Sequence, residues 1–302
     1  MTLPDYGTQG YKSILVSLDG GVAVVTINRP EQRNTFAGTL PEELIAAFDL
    51  LDRDDRVRVV VLTADPKAPA YCSGADITGG WGAIIYSEAS QKEGLQAHRD
   101  GGGKVSLAIF RCRKITVAAV NGHVAGIGFT GLTIPLDFRF IWSGAKISVP
   151  FIRRGISAEA ASTYLLPRLI GYSKAAGILL SGGTFTPDSP YMNGLFHQTL
   201  PTREDVFPAA LAFAKELAAN TSQTSVAWTK LLLWRGADTM EEQHILDSRA
   251  LRELAAGHDA TEGAKAFMER RKVKFTDTLS KNLSSWIPWW REIDVNYRRA
   301  KL

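Results

Sequence analysis

"VNGHVAGIGFTGL", residues 120–132, decides the fold through the use it makes of its glycines. Gly126, Gly128 and Gly131 fall into the spacing G-x-G-x-x-G, which in a dinucleotide-binding unit follows the first strand directly. That reading also needs an acidic residue about 20 positions further on, closing the second strand. Here Asn121-Gly122 and then His123, Val124 and Ala125 separate the apolar run ITVAAV from Gly126. Asp137 follows too soon, and the later stretch SVPFIRRG carries no acid. Dinucleotide binding is set aside.

Glycines before a short helix have a second use. They let a ligand approach exposed backbone N–H groups, which suits the stabilisation of a developing oxyanion. An oxyanion hole takes two donors, so a partner loop is required. Tyr71 to Asp76, YCSGAD, qualifies: it follows the apolar run VRVVVLTA and places small residues before a predicted helix.

Outward from these loops, KSILVSLDGGVAVVTINRP alternates as two strands around Asp19-Gly20-Gly21, a hairpin. TLPEELIAAFDLLDRDD spaces Leu44, Ile45, Phe48 and Leu51 on one helical face. VRVVVLTA and ITVAAVNG read as buried strands, PKAPAYCSGADI as a loop, LDFRFIWSGAKISVPF as two short strands, and SAEAASTYLLPRLI as a helix. Helices then follow over Glu204 to Asn220, Ser225 to Trp234, Glu241 to Ala256 and Asp259 to Lys274. The tail beyond Phe275 carries Trp286, Trp289 and Trp290. It has two readings, an amphipathic helix docked on a partner subunit or packing on its own domain.

The 302 residues are 45% hydrophobic, ample for a core, and the net charge of +4 is scattered except at the C-terminus. A dedicated nucleic-acid surface is not expected. No apolar run reaches the roughly 18 residues of a membrane span. Cys72 and Cys112 form neither a CxxC pair nor a metal-ligand spacing, which points to a reducing compartment and no disulfide or metal. The N-terminus MTLPDYGTQGYKS lacks the basic and apolar regions of a secretory signal. The terminal Ala300-Lys301-Leu302 resembles the S-K-L peroxisomal address with Ala in place of Ser. It predicts a peroxisomal location and an import receptor as partner.

Together VAVVTINRPEQRNTF, SGADI, NGHVAGIG and DATEGAKAFMERRKVKF resemble, in order, the motifs of the crotonase (enoyl-CoA hydratase/isomerase) superfamily. The resemblance implies an α/β fold, a spiral of ββα turns with a helical C-terminal trimerisation region, and acyl-CoA substrates whose coenzyme A is part of the substrate rather than a separate cofactor. On that basis residues 1–200 are the spiral core, 201–275 the helical region and 276–302 the Trp-rich tail. A homotrimer or hexamer is expected.

The resemblance places the oxyanion donors on the N–H groups of Ala75 and Ile127, and the loop that holds the CoA adenine on Ser73, Gly74, Ala75, Asp76 and Ile77. Hydratases of the family use two glutamates; those positions hold Thr130 and Phe151 here. The stretch VPFIRRGISAEAASTYLLPRLIG is similar to the peroxisomal 3,2-trans-enoyl-CoA isomerases, whose single catalytic glutamate falls on Glu159. One carboxylate on an apolar wall suffices for an allylic proton shift. The expected activity is therefore the transfer of a 3-enoyl double bond to the trans-2 position. A hydratase or dehydratase of a specialised acyl-CoA is the alternative. Glu159 also has a structural reading, as an acid at a helix N-terminus. Phe151, Ile127 and Gly126 are expected to line the pocket. His123 is read as a lid or a satisfied structural residue, Asp76 as a cap of its own loop, and Arg33, Lys265 and Lys274 as phosphate contacts or solvated charges.

Overall fold

The computed structural model describes residues 3–81 and 94–295. The terminal tripeptide 300–302 lies outside them.

The hairpin forms as its alternation dictates. Strand β1 (Ile14–Asp19) pairs antiparallel with β2 (Val22–Ile27), Asp19 opposite Val22, around Gly20 and Gly21 at φ +56° and +84°. Two successive left-handed residues make the tight turn that matches strand twist, and glycine adopts them without cost. Helix α1 (Leu40–Arg53) follows, with Pro41 in its first turn and Leu44, Ala47, Phe48 and Leu51 buried.

Then the chain repeats itself. Strand β3 (Val59–Ala64) is followed by β4 (Ala70–Cys72), and β5 (Ile115–Val120) by β6 (His123–Ala125). Strand β7 (Phe138–Trp142) is followed by β8 (Ile147–Ser148). The first strand of each pair joins a six-stranded sheet, order β1-β2-β3-β5-β7-β10, parallel except at the hairpin; β10 is Gln198–Leu200. The second joins a four-stranded sheet, β4-β6-β8-β9, in which β9 (Thr184–Phe185) closes the edge antiparallel. Each turn runs in the direction of the last, so the architecture is the expected spiral.

Helices complete the turns: α2 (Gly101–Arg111), the short α3 (Ile127–Thr130), then α4 (Ser162–Ile170) and α5 (Tyr172–Ser181). The main core lies among the sheets, α1, α2, α4 and α5. A second layer forms on the other face of the large sheet, where α6 (Arg203–Asn220) lays Val206, Ala210, Ala214 and Ala218 against Val59, Val61, Val117 and Phe140. Covering both faces explains why VVVLTA and ITVAAV are apolar throughout rather than alternating. Each valine so buried contributes about 1.5–3 kcal/mol through removal from water. Helices α7 (Gln223–Arg235), α8 (Met240–Ala255), α9 (His258–Met268) and α10 (Leu279–Asn282) follow.

Three expectations are corrected and one open alternative is decided. The stretch read as a loop before Asp76 contains β4, too short to declare itself by pattern. The helix expected from Ser157 begins only at Ser162, because Ala160 and Ala161 turn left-handed at φ +60° and +55°. The helix expected to reach Lys274 stops at Met268; Arg270 at φ +52° ends it, and Arg271 N–H bonds back to the Ala266 carbonyl at 3.0 Å. Of the two readings of the Trp-rich tail, packing on its own domain is the one seen among the described residues. Among its described residues only α10 is helical, and Trp286 and Trp289 pack on Trp228 of α7, Trp289 stacked at 5.6 Å. Their indole N–H groups donate to Glu253 and to the Arg235 carbonyl, so the tail is bound to its own chain. Further along, Arg99 Nε donates to the Val295 carbonyl. No helix among the described residues is long and apolar enough to cross a membrane.

Candidate active site

Parallel pairing brings the two predicted loops together. Strands β4 and β6 are neighbours, Ala70 opposite His123, so the chain leaves both at the same end of the small sheet. Gly74 then meets the β6 exit closely: a Cβ there would stand 3.3 Å from the Ala125 carbonyl oxygen. The turn at Asn34 braces this arrangement, its side-chain amide donating to the Ala70 carbonyl at 2.9 Å. Phe36 N–H donates to the Gly74 carbonyl, also at 2.9 Å.

The glycines of the opening segment each have a physical reason. Gly126 sits at φ +49°, ψ −121°, a region that only glycine enters readily. Gly128 packs against the end of β4, where a Cβ would come within 2.7 Å of Cys72 Cβ. Gly131 leaves room for Ile127, whose Cδ1 would be 2.3 Å from an added Cβ. Gly74, at φ +97°, precedes Ala75 as Gly126 precedes Ile127. Each glycine sets the peptide plane of the residue after it. Among the described residues, neither the Ala75 nor the Ile127 N–H donates to a protein acceptor.

Glu159 enters the same region from the segment before α4. Its Oε1 accepts from the Thr130 hydroxyl at 2.7 Å, and Oε2 lies where a Gly102 Cβ would meet it at 2.1 Å and Ile127 Cδ1 at 2.3 Å. Buried Ile127 and Phe151 belong to the surrounding core. Burial pushes the Glu159 carboxyl up to about 8; the Thr130 hydrogen bond opposes this, and the nearby Asp100 carboxyl reinforces it. Glu159 precedes α4 rather than capping it, with the left-handed pair Ala160-Ala161 in between. The helix-terminus reading of this acid therefore fails.

A sequence model described as Enoyl-CoA hydratase/isomerase matches residues 17–278. The chain belongs to that family. An enoyl-CoA hydratase of Alternaria alternata is 39% identical over 259 residues, covering 86% of this chain and 84% of that protein. A trans-2-decenoyl-acyl-carrier-protein isomerase of Streptococcus mutans is 26% identical, covering 88% and 98%. The crystal structure of a probable enoyl-CoA hydratase/isomerase from Mycobacterium abscessus matches with a TM-score of 0.75 at 34% identity, over 88% of this chain and 98% of that one. The spiral is thus the fold of the enoyl-CoA hydratase/isomerase family, and the protein is an enzyme of that family.

Within this family frame, other residues singled out in the sequence divide clearly. Exposed Ser73 shares a hydroxyl contact with Thr35 at 3.0 Å. Asp76 accepts from the Thr78 N–H and hydroxyl at 3.0 and 2.7 Å, which orders its own loop; Ile77 is exposed beside it. His123 is structural: its Nδ1 accepts from Lys146 N–H at 3.0 Å, its ring lies against Trp142, and burial with Lys146 and Arg203 nearby lowers its pKa. Arg33, Lys265 and Lys274 are exposed, Lys265 4.0 Å from Glu269. None of the three has a recorded contact with the Glu159 cluster.

Sequence reasoning missed Asp100. It caps α2, accepting from Gly103 N–H, and also accepts from Ala160 N–H at 3.3 Å, and its carboxyl raises the pKa of Glu159. The cap signal, Asp before a helix, was present; three following glycines concealed the helix. Two open clefts of about 860 and 850 Å³ lie elsewhere, one against the Trp-rich tail and one beside β7 and α7. Neither is lined by Glu159, Thr130 or Ile127.

Proposed function

We propose that the enzyme moves the double bond of a 3-enoyl-CoA to the trans-2 position, with Glu159 as the proton carrier. The α-proton of a thioester is too weakly acidic for a carboxylate unless the enolate oxygen is stabilised. The N–H groups of Ala75 and Ile127 are assigned to that oxygen, each contributing about 3 kcal/mol. Glu159 takes the proton from carbon 2, the electron pair spreads over the dienolate, and the same carboxyl returns a proton to carbon 4. Ser73 to Ile77 would hold the CoA adenine, and Phe151 and Ile127 would wall the acyl chain.

The observation that carries this reading is a half-buried carboxyl on an apolar wall, held by Thr130, at a protonation range suited to a general base near neutral pH. Thr130 and Phe151 occupy the positions where the family's hydratases place glutamates, and neither side chain titrates usefully.

A second reading, hydration of a specialised 2-enoyl-CoA, is favoured by one specific observation: Asp100 supplies a second carboxyl beside Glu159. The Alternaria alternata relative also carries the name enoyl-CoA hydratase. Incubating 3-hexenoyl-CoA and 2-hexenoyl-CoA separately decides between them. Isomerisation gives the conjugated 2-enoyl thioester from the first and no 3-hydroxy product from the second. A 3-hydroxy thioester from the second establishes the hydratase instead.

A homotrimer or hexamer and a peroxisomal location complete the proposal. Exposed Ile245 and Leu251 on α8 and Phe267 and Met268 on α9 offer apolar surface for subunit contact. The location rests on the terminal tripeptide. Sedimentation and microscopy of the tagged chain with and without its last three residues test these two points.

A further inference from the structure

We propose that Asp100 is the positioning residue for Glu159, fixing the peptide that carries it and setting a second acid beside its carboxyl. This rests on the reading of Glu159 as the proton carrier.

Capping alone does not account for Asp100. An N-cap aspartate has to accept from the first turn of its helix, and Asp100 does so at Gly103. But its Oδ1 also accepts from Ala160 N–H, the amide directly after Glu159, 60 residues away in the chain. Ala160 is the residue held at φ +60°, so this bond fixes the peptide on which the catalytic side chain is mounted. The glycines of α2 then let both carboxyls close in. A Cβ at Gly102 would strike Glu159 Oε2 at 2.1 Å, and one at Gly103 would strike Asp100 Oδ2 at 2.7 Å. Both acids thus lie against one glycine-bare helical turn. An acidic neighbour disfavours ionisation of a carboxyl beside it.

The groups that face Glu159 leave Asp100 as its acidic neighbour among the described residues. Thr130 of α3 donates to Oε1, Asp100 stands before α2, and the Cys72 thiol at the end of β4 is pushed by burial up to about 12 and stays neutral. Among the described residues, no Lys, Arg or His side chain pairs with Glu159. Glu159 is ionised in the reactive form, holds one proton while the dienolate exists, and is ionised again after carbon 4 is protonated. Asp100 never touches the substrate in this scheme. It sets where Glu159 points and how readily it gives up its proton.

Asp100→Asn tests the idea, because Asn still caps a helix and accepts from Gly103 and Ala160 but is no acid. The rate profile of wild type is expected to rise with pH through about 8. In Asp100→Asn the midpoint falls by at least one pH unit, and in Asp100→Glu it returns. Asp100→Ser, a second cap-competent change, is expected to behave as Asn does. A readout independent of turnover is the carboxyl carbon resonance of Glu159 in isotopically labelled protein. Its titration midpoint should fall in Asp100→Asn by as much as the rate profile does. An unshifted profile and an unchanged resonance in Asp100→Asn, with Glu159→Gln inactive, overturn the pairing and leave the proton-carrier reading standing. Full activity in Glu159→Gln overturns both.

Discussion

Thr130 Oγ1 donates to Glu159 Oε1 at 2.7 Å while also lying 3.1 Å from the Gly126 carbonyl oxygen. Thr130, which the family resemblance sets at the position of a hydratase glutamate, supports the Glu159 carboxylate here. Donation to the ionised form favours it, so Thr130→Val should push the Glu159 pKa further above about 8. A hydrogen bond to a charged group is worth about 1.5–3 kcal/mol, which predicts a loss of roughly 10- to 100-fold in activity at neutral pH. Part of that loss should return at higher pH. A pH–rate profile checks this; a profile identical to wild type would dismiss Thr130 as a bystander.

Glu159→Gln should lose about 10²- to 10⁴-fold in activity and yet stabilise the fold at alkaline pH. The folded-state pKa of Glu159 is raised from 4.5 to about 8. Its contribution to stability is therefore fully present below about 4.5 and lost as pH rises through about 8. Above that range wild type holds a half-buried charge that glutamine lacks. The gain should be on the order of 2–4 kcal/mol at pH ~9, discounted for partial exposure, and small at pH ~5. Denaturant unfolding at both pH values measures it, and equal gains at the two would contradict the assignment.

Gly102→Ala is a substitution that helix propensity favours by about 1 kcal/mol. Here the new methyl would meet Glu159 Oε2 at 2.1 Å and Ile127 Cδ1 at 2.3 Å. We expect activity to fall at least ~10²-fold, because a misplacement of about 1 Å at a reacting group costs that much. Turnover with a defined substrate, alongside a thermal melt, separates the two effects. Retained activity would place the catalytic carboxyl elsewhere.

Gly126→Ala probes conformation rather than space. The added Cβ meets nothing closer than Phe151 Cζ at 3.9 Å, but φ +49° with ψ −121° excludes an alanine. The peptide must rotate at a cost of about 1–3 kcal/mol, taking the Ile127 N–H with it. Loss of one oxyanion donor predicts a fall of about 10²–10³ in kcat with KM little changed. A rise in KM at constant kcat would mean that Ile127 merely binds.

Much of this architecture was legible in the residues. The alternation on either side of Gly20-Gly21 announced the hairpin, and the unbroken apolar runs at Val59 and Ile115 announced strands covered on both faces. The loops at Gly74 and Gly126 follow from their glycine chemistry, and the family resemblance singles out the carboxyl at Glu159. What escaped notice was set by distant contacts. Ala160 and Ala161 are strong helix formers held left-handed, and the Asp100 bond to Ala160 N–H joins segments 60 residues apart. The helix at Gly101 was hidden by three glycines that local propensity counts against it, though they admit two carboxyls. Strand β4, three residues long, has no period to detect.

The bond from Arg99 to the Val295 carbonyl spans 196 positions and ends one residue before Asp100. The aromatic anchor at Trp228 and this tether together fasten the C-terminal segment next to Asp100 like a guy-rope. Cutting that rope before Val295 is expected to slacken the mounting of Asp100 and to shift the Glu159 pH profile before it lowers the thermal melt.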